Sequence, residues 1–364
     1  MTFIRAAVLA SFSVLVLSTA AFAADPPWRI ASADGTAALT FGVLAQPQLE
    51  SVTTADGADT AKHFLLRRTR LILGAKLGER ISFFIDTDAP NVGKPNAAGR
   101  KGEDAMFLQD VALTYAVTRS INLEGGLIIV PVGRHATQSA AALLGVDYGP
   151  FSFSHSEPTN CRMGRDYGAQ ARGYLAGNHV EFRAGVFNGA RGAADTAPLR
   201  FTARGVWYPF EAETGLFYTG TTLGTRRILS VGASVDHQGG YTATGADVFV
   251  DQPLSGGSRS LTGQVNYTHY NGGASLGALP HQEVWLVEAG MYDKATRLGP
   301  FAQLTTRRLS AASAAASDES KVTGGLAYWA QGHRFNVKLG IGRSTRTGAP
   351  SRTQVVLQGQ LYVF

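Results

Sequence analysis

The feature that most constrains this chain is alternation. Leu39, Phe41, Val43, Ala45 and Leu49 fall on one side of an extended segment, and Thr40, Gln46, Gln48 and Glu50 on the other. Leu71, Leu73, Ala75 and Leu77 oppose Arg68, Arg70 and Lys76. Val180, Phe182, Ala184 and Val186 oppose Glu181 and Arg183. Phe335, Val337, Leu339 and Ile341 oppose Arg334, Asn336 and Lys338. A period of two belongs to β-strands with two unlike faces. No helical period of useful length competes with it; Ala136 to Leu144 is a short Ala/Leu patch.

Sixteen such segments follow one another: near 37–49, 63–77, 80–88, 105–117, 121–131, 164–176, 178–188 and 199–209, then 225–236, 241–251, 258–269, 282–292, 298–308, 321–331, 333–343 and 353–364. Most are close to the roughly 9–11 residues of a tilted strand crossing a bilayer. The even number suits a closed barrel. Connections alternate in length. Residues 78–79, 118–120, 177 and 331–332 are short; 50–62, 89–104, 132–163, 189–198, 270–281, 309–320 and 344–352 are long and polar. Short turns on one membrane face and long loops on the other are the barrel pattern. Phe210 to Gly224 is long where a short turn is expected, and His237 to Gly240 is short where a loop is expected.

The charges decide which way the barrel faces. Several polar faces carry more than one charge, too many for a dry core. An apolar face toward lipid and a polar lumen resolve this, and closure removes unpaired edges. The expected fold is therefore all-β: a transmembrane antiparallel barrel of about sixteen strands. The start of the chain fits export. Residues 1–23 read as a signal peptide, with Arg5, an apolar run from Ala6 to Ala20, and Ala21-Phe22-Ala23 as cleavage site. Residues 24–364 then form the barrel domain. The single cysteine, Cys161, excludes a disulfide framework or a thiolate-rich metal site. The chain ends on Phe364, whose parity is that of Gln358 and Gln360. Either a bulge lies near Gln360 or this ring points inward.

Several motifs, in order, resemble the phosphate-selective porin O and P family of Gram-negative bacteria. They are Phe64 to Leu71 with its Arg67-Arg68-Thr69-Arg70 core, Asp110-Val111-Ala112, and Gly126 through Pro131 with Gly133. Arg165-Asp166-Tyr167-Gly168-Ala169-Gln170, Gly185 to Gly189 and Arg204 to Phe210 follow. Gly325 to Trp329, Gly332-His333 and Asn336 to Lys338 complete the set. The resemblance implies a sixteen-stranded homotrimeric channel in the outer membrane, bounded by its lipid. One departure stands out: Leu127, Ile128, Ile129 and Val130 leave no lysine where the family's anion specialists carry a basic residue before the Gly-Pro strand end.

Strict alternation directs Arg68, Arg70, Lys76, Arg172, Arg183, Arg204, Arg226, Arg307, Arg334 and Lys338 inward. The inward acids are Asp86, Asp110, Asp166, Glu181, Asp247 and Glu288. Basic side chains lining a pore favour anions, and the planar fork of Arg grips two oxygens at once. The competing reading is mutual neutralisation that keeps the lumen wet. The longest loop, Val132 to Met163 after the fifth strand, is the one the resemblance implies folds inward as a constriction. It carries Arg134, His135, His155 and Arg162, with Arg165 just beyond, against Asp147 and Glu157. His135 and His155 lack the spacing of a metal site. No cofactor is called for. The basic residues alternate with apolar ones instead of forming a patch, which argues against nucleic acid.

These observations predict a diffusion channel with a mild preference for small anions, phosphate or polyphosphate among them. The alternatives are a general non-selective porin for small hydrophilic solutes and a closed structural or adhesive barrel. A barrel hydrolase is a further alternative, although no G-x-S-x-G elbow or H-E-x-x-H motif is present.

Overall fold

The computed structural model describes residues 28–364 apart from 97–98, 102–104, 157–158, 160, 274 and 311–315. The expected signal peptide and Glu157 lie outside the described residues. Sixteen long strands form the wall. β1 spans Ala37–Thr53, β2 Thr60–Leu77, β3 Ile81–Asp88 and β4 Phe107–Ala116. β5 spans Ile121–Ile129, β6 Arg165–Leu175, β7 Val180–Phe187 and β8 Arg200–Trp207. β9 spans Ile228–Gln238, β10 Tyr241–Leu254, β11 Arg259–Asn271 and β12 Gln282–Asp293. β13 spans Leu298–Leu309, β14 Glu319–Tyr328, β15 Phe335–Arg346 and β16 Ala349–Val363.

Each strand pairs antiparallel with the next, and β16 pairs with β1 from Gln354↔Val52 to Val363↔Val43. The sheet therefore closes. A three-residue strand, Arg29–Ala31, lies against β1 at Thr40, Leu39 and Ala38, beyond the end of β16. Closure leaves few backbone groups for lipid to desolvate.

The two faces separate as the alternation predicts. Leu71, Leu113, Val231, Val265, Leu304, Leu339 and Ile341 are exposed on the outside. Gln46, Gln48, Glu50, Asp86, Glu124, Asp247, Gln264 and Glu288 are buried on the inside. The Tyr267 and Trp285 rings meet outside at 4.6 Å, amphipathic rings of the kind found where lipid gives way to water.

One irregularity re-aims two side chains. Between Ala45↔Thr69 and Pro47↔Leu66, Gln46 faces two residues of β2, Arg67 and Arg68. This is a β-bulge, beside a proline that cannot donate to the ladder. It turns consecutive arginines to the same, inner side.

Connections on the short-turn face run 78–80, 117–120, 176–179, 255–258, 294–297 and 329–334, with 208–227 as the long exception. On the other face 89–106, 130–164, 188–199, 272–281 and 310–318 are long. Three expectations need correction. The β15–β16 connection is only Thr347-Gly348, because strand pairing continues to the turn. Arg226 lies in the 208–227 connection, since β9 starts at Ile228, and its side chain is more than one-third exposed. Arg334 is exposed in the turn before β15. At Phe364 the question resolves: the ring points inward and meets Phe84 edge-on at 5.8 Å.

Gly126 shows how tightly the wall is built. Its φ is +127° and an added Cβ would sit 2.0 Å from the Val111 carbonyl oxygen. Gly126→Ala should therefore cost at least about 2 kcal/mol from backbone strain and collision. Loss of the heat-resistant folded band in gel electrophoresis, compared with the parent chain, checks this.

Candidate permeation pathway

Two segments enter the lumen from opposite ends. The loop 130–164 comes from the long-loop face. It has two short 3-10 turns, His135–Thr137 and Ala140–Ala142, where the sequence shows only an Ala/Leu patch. The connection 208–227 comes from the short-turn face, which the barrel rule makes periplasmic. The two meet as a short parallel ladder. Tyr218 N–H donates to the Thr137 carbonyl at 3.1 Å, Ser139 N–H to the Tyr218 carbonyl at 2.9 Å, and Gly220 N–H to the Ala142 carbonyl at 2.9 Å. Gly220 permits the approach: a Cβ there would lie 2.6 Å from the Ala142 oxygen.

A buried ion pair locks the junction. The Arg134 guanidinium binds both carboxylate oxygens of Glu213 and donates to the Thr219 carbonyl at 2.8 Å. It also lies over the Phe249 ring, 3.6 Å from its centroid. Behind it, Glu181 accepts from Arg183 Nε at 2.8 Å and from the hydroxyls of Tyr208 and Tyr218 at 2.9 and 3.0 Å.

The loop then crosses to the far wall. His135 N–H donates to Asn266 Oδ1 at 2.9 Å, and Lys338 Nζ donates to the carbonyls of Leu143 and Gly145 at 2.6 and 2.8 Å. The bulge arginines clamp the tip: Arg67 Nε and Arg68 Nη2 reach opposite oxygens of Asp147 at 2.7 and 2.5 Å. Burial opposes ionisation of Asp147, but these two guanidiniums outweigh it and hold the carboxyl well below the usual carboxylate range. A depressed folded-state pKa means that the clamp's contribution is present above about pH 4. It is lost only as pH falls far below that.

Three cavities follow the side of the wall built by β14–β16 and β1–β6. The outer one, about 180 Å³, is lined by Glu50, Arg67, Lys94, Asp147 and Lys321 among others. The middle one, about 290 Å³, is lined by Arg70, Asp86, Arg165, Phe84, Phe217 and Phe364 among others. The inner one, about 580 Å³, is lined by Arg29, Lys76, Glu124 and Arg172 among others, and shares Phe84, Leu216 and Phe364 with the middle. Between outer and middle lies one layer of side chains. Gln46 Nε2 donates to Gln360 Oε1 at 2.8 Å, Arg68 Nη1 donates to Gln46 Oε1 at 2.9 Å, and Gln360 Nε2 donates to the Ala141 carbonyl at 2.8 Å. This buried layer separates the two cavities.

A sixteen-stranded barrel with an inserted loop has known relatives. The model of the family described as phosphate-selective porin O and P matches residues 48–330. The chain belongs to this family. It is thereby an outer-membrane channel protein of the Gram-negative type. Solved structures share the fold. The outer membrane channel DcaP of Acinetobacter baumannii is 14% identical, with TM-score 0.58 over 92% of this chain and 99% of that one. The anion-selective porin from Comamonas acidovorans is 11% identical, with TM-score 0.57 over 90% and 99%. OmpT of Vibrio cholerae, in its trimer form, is 10% identical, with TM-score 0.53 over 90% and 99%. No curated protein matches the chain in sequence.

Within this porin the expected inward arginines sit on carboxylates. Arg70 pairs with Asp86 and Asp88 at 2.6 and 2.9 Å, and Arg165 makes two 3.0 Å bonds to Asp110. Arg172 approaches Glu124 and Glu181, each at 3.5 Å, and Arg183 binds Glu181. Arg204 forks onto Asp247 at 2.6 and 2.8 Å. Arg307 reaches Glu319 at 3.5 Å near the outer rim and lies over Phe151. Arg226 pairs with Glu211 at 3.3 Å, outside the lumen wall. Arg162 is exposed over the Phe107 ring. His135 Nε2 accepts from Gly149 N–H at 3.0 Å, and its Nδ1 meets Gln264, so both nitrogens are engaged. His155 stacks on Tyr270 with no hydrogen-bond partner among the described residues, and burial with the Arg200 charge pushes its imidazole down to about 3. It is a neutral packing residue.

Arg67, Glu213, Gln46 and Gln360 carry more of the architecture than alternation alone suggests. Pro47 beside the Arg67-Arg68 pair is the one local signal for the bulge. Glu213 lies 79 residues from Arg134 and gave none. Glu213→Ala should destabilise the barrel by about 3–5 kcal/mol, because it strands a buried guanidinium. Glu211→Ala, which removes an exposed pair, should cost under about 1 kcal/mol. Urea unfolding of both refolded variants in detergent checks the contrast.

Proposed function

We propose that this porin is a passive diffusion channel with a mild preference for small anions, phosphate and polyphosphate among them, acting as a homotrimer. The observation that carries this reading is an imbalance along the cavity walls. Every lining carboxylate has a basic partner: Glu50 has Lys94, Asp147 has Arg67 and Arg68, Asp86 has Arg70, and Glu124 has Arg172. Arg29, Lys76 and Lys321 have no carboxylate at ion-pair distance among the described residues; Lys321 Nζ donates to Gln354 at 2.9 Å. Two of these three lie at the inner mouth. Unpaired positive charge at a mouth raises the local anion concentration, and weak contacts let the solute leave. Extensive pairing deeper inside keeps the preference mild. The anion-selective Comamonas porin and the trimer form of OmpT, which share this fold, support the same reading.

In a planar bilayer under a KCl gradient, the reversal potential should have the sign of chloride selectivity, and added phosphate should reduce the current. The double variant Lys76→Glu, Lys321→Glu should move the reversal potential toward cation selectivity with the barrel intact. Current steps with no ionic preference would leave a general porin. Folded protein that gives no steps would favour a closed barrel, with the Gln46–Gln360 layer as its seal.

A further inference from the structure

A second site lies outside the lumen. On β11 the outward positions run Leu261, Val265 and Tyr267, all on the lipid-facing side, and His269 continues that row at the long-loop end. His281 stands immediately before β12, diagonal to His269 across the ladder, because Tyr270 pairs with Gln282. The two Nε2 atoms are 3.0 Å apart, in rings 4.8 Å apart and nearly perpendicular. His281 is exposed and His269 half-buried, just beyond the Tyr267–Trp285 contact. Glu283 faces His269 on one side and Thr244 faces it on the other.

This spacing suits two ligands on one ion. Metal–imidazole bonds of about 2.0–2.1 Å place nitrogens 3.0 Å apart at an angle of about 95° at the ion. A ring separation of 4.8 Å gives nearly the same angle, about 97°, when the ion lies in both ring planes. An angle near 90° belongs to tetragonal coordination, the preference of Cu2+ and Ni2+, and falls short of the tetrahedral angle of Zn2+. Without metal, one Nε2–H donates to the other nitrogen. On binding, that proton moves to Nδ1 of its own ring and both Nε2 lone pairs turn to the ion, so no proton need be released from two neutral rings.

We infer that His269 and His281 form a surface site for a divalent transition metal of tetragonal preference, Cu2+ first and Ni2+ second. Water completes the coordination. The site is independent of what passes through the lumen.

The test uses untagged, full-length mature protein in detergent, stripped with chelator and titrated with Cu2+. Calorimetry should show one binding event per chain, and electron paramagnetic resonance should show a tetragonal spectrum with coupling to two nitrogens. His269→Ala or His281→Ala should each weaken binding by at least about tenfold, while His237→Ala, an exposed histidine elsewhere on the wall, should leave it unchanged. The folded, heat-resistant band of each variant confirms that the barrel is intact. Coupling to a single nitrogen, binding as tight as the parent's in the His269 or the His281 variant, or tighter binding of Zn2+ than of Cu2+ would overturn the assignment.

Discussion

A guanidinium that cannot reach water needs a carboxylate, and the inside of this barrel is organised around that requirement. Arg68, Arg134, Arg183 and Arg200 are all completely buried or nearly so. Each has an acidic partner: Asp147, Glu213, Glu181 and Asp236 in turn. A barrel with a water-filled lumen could leave such groups to the solvent. Here two inserted segments remove the solvent, so pairing becomes obligatory. The pairs in turn dictate where the segments lie. The loop 130–164 is anchored at one end by Arg134 and at its tip by Asp147, and the connection 208–227 is held through Glu213.

This arrangement divides the molecule into two parts with different tasks. Along β7–β10 the lumen is filled by tyrosines, arginines and carboxylates in a continuous bonded network. Along β14–β16 and β1–β6 the inserted segments stand away from the wall and leave three cavities. Open space therefore lies on one side of the barrel, and the bonded network on the other. A bulge sits within the cavity side, where Arg67 and Arg68 both turn inward to hold Asp147. The free space inside is thus set by a contact between loop and wall as much as by the number of strands.

Much of the fold was legible in the sequence because alternation is a local property. All sixteen strands lie where the period of two puts them, and most ends agree within a few residues. Arg226 and Arg334 were misplaced for a physical reason. Alternation can run past the last paired residue, and nothing local marks where the ladder stops. The inward direction of Arg68, Arg70, Arg172, Arg183, Arg204 and Lys338 was also legible. The wall acids Asp86, Glu181 and Asp247 were legible too, but Asp147, the partner of Arg68, and Glu213, the partner of Arg134, come from segments that enter the lumen only in three dimensions. Alternation counts the charges on the wall; it cannot count those carried in by a loop or by the long periplasmic connection.

The position of the Phe364 ring has a practical consequence. Phe364 lies within the barrel, against Phe84, and forms part of the boundary shared by the middle and inner cavities. The Phe364 ring is therefore a shared wall of two cavities. A smaller side chain at this position enlarges the middle and the inner cavity together, so one substitution changes the free space at two levels of the barrel.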